Sequence, residues 1–137
     1  VNVTGKTQAD QPQPLAGVTV LLVEDELDIA DLLLFILGEV GAEVIWVMQA
    51  NEALARFHHS RPDILLSDIR LPDYNGDWLI QSIRQAESGT MPPLPAIAIT
   101  SYTREFSADM ILEAGFDRFF PKGIDAEEII STILDLI

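Results

Sequence analysis

Glu24-Asp25-Glu26 and Asp68 are the residues whose types could hold a hard cation or offer a reactive oxygen, and Thr100 and Lys122 are the two that could assist them. Carboxylates with no His or Cys beside them favour Mg²⁺ or Ca²⁺ over zinc. Two carboxylates brought about 5 Å apart at an effective dielectric near 20 repel by roughly 3 kcal/mol, so such a site requires a proton or a cation. A hydroxyl and an ammonium around a metal-bound carboxylate are what a phosphoryl group in transfer needs. Singly, each residue has an ordinary explanation, since acids cap helices, a lone Lys is usually solvated and a Thr at a strand end is unremarkable in composition. Joint placement at one crevice is what separates the two readings.

Hydrophobic periodicity supplies that placement. Strands are expected at Val18–Val23, Glu43–Val47, Asp63–Ser67, Ala96–Ile99 and Arg118–Phe120. The first, third and fourth are almost continuously apolar, as strands buried on both faces of a parallel sheet are. Ile29, Leu32, Leu33, Ile36, Leu37 and Val40 repeat at helical spacing, and Ala126, Ile129, Ile130, Ile133, Leu134 and Ile137 do so again, with Asp125 and Glu128 forming a capping pattern. Further helices are expected near 51–60, 76–87 and 104–114, the last stopping at Gly115. Alternation of five strands with five helices predicts a doubly wound (βα)5, flavodoxin-like three-layer α/β sandwich with a parallel sheet of order 2-1-3-4-5. Its crevice opens at the carboxyl ends of strands 1 and 3. Glu24 to Glu26 follow strand 1, Asp68 follows strand 3, and Thr100 and Lys122 follow strands 4 and 5.

A chain of 137 residues, 48% apolar, has material for one core. Residues 1–16, with two Gln-Pro pairs and no periodic pattern, read as a linker or disordered tail, and residues 17–137 as the folded domain. The formal charge of −14, from 22 acidic against 8 basic residues, disfavours direct binding to nucleic acid or to anionic membranes. Cysteine is absent, which excludes disulfides and thiolate metal sites and suits a reducing cytoplasm. No apolar run has the length of a membrane span. The chain begins at Val1 without a signal-peptide pattern, and a piece of a longer protein is the expectation.

The stretch Val20-Leu21-Leu22-Val23-Glu24-Asp25-Glu26, then Pro62-Asp63-Ile64-Leu65-Leu66-Ser67-Asp68-Ile69-Arg70-Leu71-Pro72 with Gly76, then Thr100-Ser101, Gly115-Phe116 and Lys122, resembles the response-regulator receiver family of bacterial two-component signalling over residues 17–137. The resemblance implies a phosphorylatable signalling domain rather than an enzyme. In it Asp68 accepts a phosphoryl group from a histidine kinase or histidine phosphotransfer protein. It implies that Asp25, Asp68 and the backbone carbonyl of Arg70 bind Mg²⁺, with Glu24 acting through water. Thr100 and Lys122 would contact the phosphoryl oxygens, and Phe119 looks like the aromatic partner of the Thr100 switch. The wording of the motifs is similar to receivers at the C-terminus of hybrid sensor kinases, though a stand-alone regulator fits too, and a phosphorylation-dependent dimer is compatible with either.

The family pattern is departed from in places. Glu24 stands where Asp is commoner, and Phe119 lacks the hydroxyl of the frequent Tyr. Gly123 replaces the usual Pro after Lys122, with Pro121 before it, so the customary cis Lys-Pro bond cannot form and another loop path is expected. Pro121 is tolerable on an edge strand. His58-His59 are expected at the surface, and Trp46 and Trp78 are expected to fill the layer between sheet and helices. Leu27 and Leu34, a heptad apart and off the core stripe, are either simply exposed or, as the resemblance implies, part of a docking surface for the donor on the first helix.

Three other readings fare worse. A haloacid-dehalogenase-type phosphohydrolase needs a carboxylate two residues after its nucleophile, where this chain has Arg70. A nucleotide-binding module needs a phosphate cradle after strand 1, where Glu24-Asp25-Glu26 would repel the ligand. A degenerate receiver would not be expected to keep Asp25, Asp68, Thr100 and Lys122.

Overall fold

The computed structural model describes residues 13–89, 92–101 and 107–137. Its elements alternate as β1 (Thr19–Val23), α1 (Leu27–Glu39), β2 (Glu43–Val47), α2 (Ala50–Ser60), β3 (Ile64–Asp68), α3 (Gly76–Glu87), β4 (Ala96–Thr100), α4 (Ala108–Ala114), β5 (Arg118–Pro121) and α5 (Ala126–Leu136). All strand pairings are parallel, in the order β2-β1-β3-β4-β5. The expected doubly wound sheet is therefore the observed one. No helix among the described residues is long and apolar enough to cross a membrane.

Two-residue alternation divides the strands between two cores. Leu21, Val23, Leu65, Ala96 and Ala98 face one side, where Ala53 and Phe57 of α2, Leu79, Ile80 and Ile83 of α3 and Ile111 of α4 cover them. Val20, Leu22, Ile64, Leu66, Ile97 and Ile99 face the other, under Leu33 and Leu37 of α1 and Ile129 and Ile133 of α5. Each fully buried Leu or Ile contributes about 1.5–3 kcal/mol, so both layers resist displacement of the central strands. Strands β3 and β4 are buried along their whole length, while β2 and β5, the edges, are not. Pro121 sits on edge strand β5 opposite Thr100, where its missing N–H is tolerated.

Several expectations shift. Packing begins before Gly17, because Leu15 is fully buried in the core with α1 and α5 and its amide donates to Val40 O at 2.9 Å. The fourth helix starts at Ala108, capped by the Ser107 hydroxyl, which accepts from Met110 N; positions 104–106 of the expected span lie outside the described residues, as do residues 1–12 of the expected tail. On α1 the expected stripe is rotated. Leu34 is half-buried against the core, whereas Leu32, assigned to the core face, is exposed together with Phe35 and Leu27. His58 and His59 are exposed on the last turn of α2.

Candidate functional site

Adjacent parallel strands end side by side, and three carboxylates meet there. Val23 pairs with Ser67, so Glu24 leaves β1 beside Asp68, the last residue of β3. Glu24, Asp25 and Asp68 each offer an oxygen within 4.8 Å of the others. Asp68 is nearly buried, and its two oxygens are held differently. Oδ1 accepts the amides of Ile69 at 2.7 Å and Arg70 at 3.3 Å, and Oδ2 accepts Lys122 Nζ at 2.9 Å.

The acceptor strand end is fixed from several sides. Ser67 Oγ donates to Asp68 O at 2.8 Å, and Gly76 N donates to Ile69 O at 2.6 Å. A Cβ on Gly76 would fall 2.5 Å from Asp68 O, so only glycine lets α3 start against this turn. Asp73 leans across to α2, accepting from Ala50 N and Asn51 N at 2.8 Å each. Desolvation would raise its carboxyl, but the backbone amides around it, Asn51 and Ala50 foremost, together outweigh that and hold it below the usual range. Trp46 donates from its indole nitrogen to Glu24 O at 2.9 Å, tying the acidic loop to edge strand β2, and Trp78 stacks on Tyr74.

Glu24 carries the strain of the arrangement. Burial, and then the neighbouring charge of Asp68, push its carboxyl up to about 7. Oε2 accepts from Glu26 N at 3.1 Å, but the buried Oε1 has no hydrogen-bond partner and only Lys122 Nζ at 3.5 Å. An orphaned oxygen inside a three-carboxylate cluster suits an oxygen-seeking divalent ion. Burial would lower the Lys122 ammonium, but its hydrogen bonds to Asp68 and Glu26 outweigh that and hold the group above its ordinary value.

Asp68, Glu24, Asp25 and Lys122 are thus assembled. Lys122 reaches Asp68 with Gly123 after it, and its amide donates to Thr100 O at 3.1 Å. Thr100 ends β4, but its hydroxyl donates to Ser101 O at 3.1 Å. Phe119 is half-buried one strand away, level with Ala98. Sequence reasoning passed over the links made by Trp46, Asp73 and Glu26, each of which joins residues that only the folded strands and loops bring together.

The model of the response regulator receiver domain family matches residues 20–134. The chain belongs to this family. An uncharacterized 14.6 kDa protein of Leptolyngbya boryana is 37% identical over 88% of this chain and 91% of its own. The sensory transduction protein RegX3 of Mycolicibacterium smegmatis is 36% identical over 84% of this chain, which spans only 48% of RegX3. Among solved structures, the receiver domain of a sensor histidine kinase from Pseudomonas aeruginosa superposes with a TM-score of 0.79 at 27% identity, covering 88% of this chain and 98% of that one; it holds a magnesium ion in its active-site cleft. This receiver has a cluster of Glu24, Asp25 and Asp68 in which a metal ion could be held.

Proposed function

We propose that this receiver accepts a phosphoryl group on Asp68 from a histidine kinase or histidine phosphotransfer protein, in a Mg²⁺-dependent reaction, and changes conformation in response. The observation that carries the reading is the Asp68 carboxylate itself, nearly buried, with one oxygen on two amides and the other on Lys122, beside a buried carboxylate with one oxygen left without a hydrogen bond. A structural Asp would have no use for that neighbour.

In transfer, an Asp68 oxygen bonds to phosphorus as the bond from phosphorus to the donor imidazole nitrogen breaks, the electron pair staying on that nitrogen. Asp25, Asp68 and the Arg70 carbonyl would hold Mg²⁺, with Glu24 through water, and the ion would supply positive charge to the phosphoryl oxygens. The amides of Ile69 and Arg70 orient the carboxylate, and Lys122 donates to a phosphoryl oxygen. Thr100 turns its hydroxyl from Ser101 O toward the same group, and Phe119 fills the space vacated, which is the switch.

The donor must bring its histidine to Asp68, so its docking surface borders the crevice. Exposed Leu27, Leu32 and Phe35 on α1, whose start adjoins the pocket, suit an amphipathic helix of such a donor. A cytoplasmic location goes with that partnership, and the likeness to a sensor-kinase receiver supports a hybrid kinase as parent chain. Incubation with a small phosphodonor and Mg²⁺ should label the wild type and leave Asp68→Asn unlabelled. Full labelling of Asp68→Asn would overturn the assignment.

A further inference from the structure

Lys122 is shared by three carboxylates that differ in their access to water. Its Nζ lies 2.9 Å from Asp68 Oδ2, 3.0 Å from Glu26 Oε1 and 3.5 Å from Glu24 Oε1. Two of these contacts, to Asp68 and Glu26, are of hydrogen-bond length, whereas Glu24 Oε1 is reached only as an ionic neighbour and accepts no hydrogen bond. The side chains of Asp68 and Glu24 are 4% and 1% exposed, whereas that of Glu26 is 58% exposed. A phosphoryl oxygen on Asp68 competes with these carboxylates for the Lys122 ammonium. Releasing Glu24 would take the Lys122 cation from a buried oxygen that has no hydrogen bond, and Asp68 is the group being modified. Releasing Glu26 returns an exposed carboxylate to water at little desolvation cost. Its backbone need not move, since Glu26 N donates to Glu24 Oε2 and Glu26 O accepts Ala30 N at the start of α1.

We propose that Glu26 is a positioning residue acting through Lys122: a displaceable counter-ion that holds the ammonium before transfer and turns into solvent when phosphoryl oxygens take its place. This rests on the reading of Asp68 as the acceptor. The Glu26–Lys122 pair stabilises only the unmodified state, and the Glu26 charge also repels an incoming dianion. Both effects act in one direction, so removing the charge favours the phosphorylated form. For a half-exposed ion pair the shift is about two- to fivefold.

The test uses fluoroberyllate, a phosphoryl mimic, titrated at saturating Mg²⁺ into wild type, Glu26→Gln and Asp68→Asn, with the Lys122 ammonium nitrogen followed by NMR. The expected result is a two- to fivefold lower Kd for Glu26→Gln, no binding to Asp68→Asn, and a Lys122 signal in free Glu26→Gln displaced toward its position in the fluoroberyllate-bound wild type. If the wild type binds no better than Asp68→Asn, the acceptor reading itself fails. If the wild type binds and Glu26→Gln binds equally or more weakly, the role of Glu26 is overturned. Tighter binding with an unmoved Lys122 signal also overturns it, because the effect would then be general charge.

Discussion

Glu87, near the amino ends of the strands, is about as buried as Asp68 at the carboxyl ends, 5% against 3% exposed, yet their surroundings differ in kind. Glu87 Oε1 accepts Arg84 Nη1 at 2.9 Å and Oε2 accepts Leu94 N at 2.6 Å. Arg84 also donates to Gly115 O, and Asp117 accepts Ala96 N at 2.9 Å, so α3, β4 and the turn before β5 are laced together. Every carboxylate of that network meets a donor. At the other end Asp68, Glu24 and the exposed Glu26 share Lys122, and Glu24 Oε1 is left over. Burial alone therefore does not mark a functional acid. What marks it is burial with negative charge in excess of its donors, which costs stability until a cation or phosphoryl group arrives.

Removing a carboxylate should accordingly have opposite signs at the two ends. Glu87→Ala should lower the unfolding free energy in urea by about 3 kcal/mol, because Arg84 and Leu94 N lose a buried partner. A loss under about 1 kcal/mol would show that the amino-end network is not what ties α3 to β4.

Glu24→Gln should do the reverse in chelator. The folded-state carboxyl is raised from 4.5 to about 7, so between these values the folded chain binds a proton that the unfolded chain releases. Stability is then lost as pH rises through that window, by a few kcal/mol in order of magnitude, and stays lost above it. Urea unfolding across pH 4.5 to 8 should show this slope in the wild type and a flatter one in Glu24→Gln. Equal slopes would remove the contrast between the two ends.

Asp73 has a smaller effect, of the amino-end kind. Asp73→Ala should cost about 1 kcal/mol, as lost helix caps do, since Ala50 N and Asn51 N lose their acceptor. Its carboxyl is lowered, so its contribution is present above the ordinary carboxylate range and fades as acid protonates it. A cost at pH 7 equal to that at pH 2 would contradict the capping role. Smallest for stability is Phe35→Ser, expected within about 0.5 kcal/mol of wild type because the ring is exposed. Transfer from a cognate donor should nevertheless slow while labelling by a small phosphodonor persists; unchanged transfer would move the docking surface off α1.

Legibility in the sequence followed the range of the interaction. Strands β1, β3 and β4 could be read because alternate residues go to opposite faces and both faces are covered, which makes them continuously apolar. Strand order by itself puts Glu24, Asp25 and Asp68 at one crevice. The face of α1 was misjudged because Leu32, Leu34 and Phe35 form an apolar run with Leu33, Ile36 and Leu37, and such a run does not say which part of its arc meets the sheet. Leu15 was missed because one apolar residue in a Pro-rich stretch has no period.

Local pattern thus determined the elements, their order and the types of residue at the crevice, since periods of 2 and 3.6 are written within a few residues of chain. Tertiary structure alone decided how the charges are shared. The Trp46 bond to Glu24 spans 22 residues, the Asp73 cap of α2 spans 23, and the Lys122 bond to Asp68 spans 54. Which carboxylate receives an ammonium and which is left without a donor depends on side-chain reach across strand ends, and that reach exists only once the sheet is assembled.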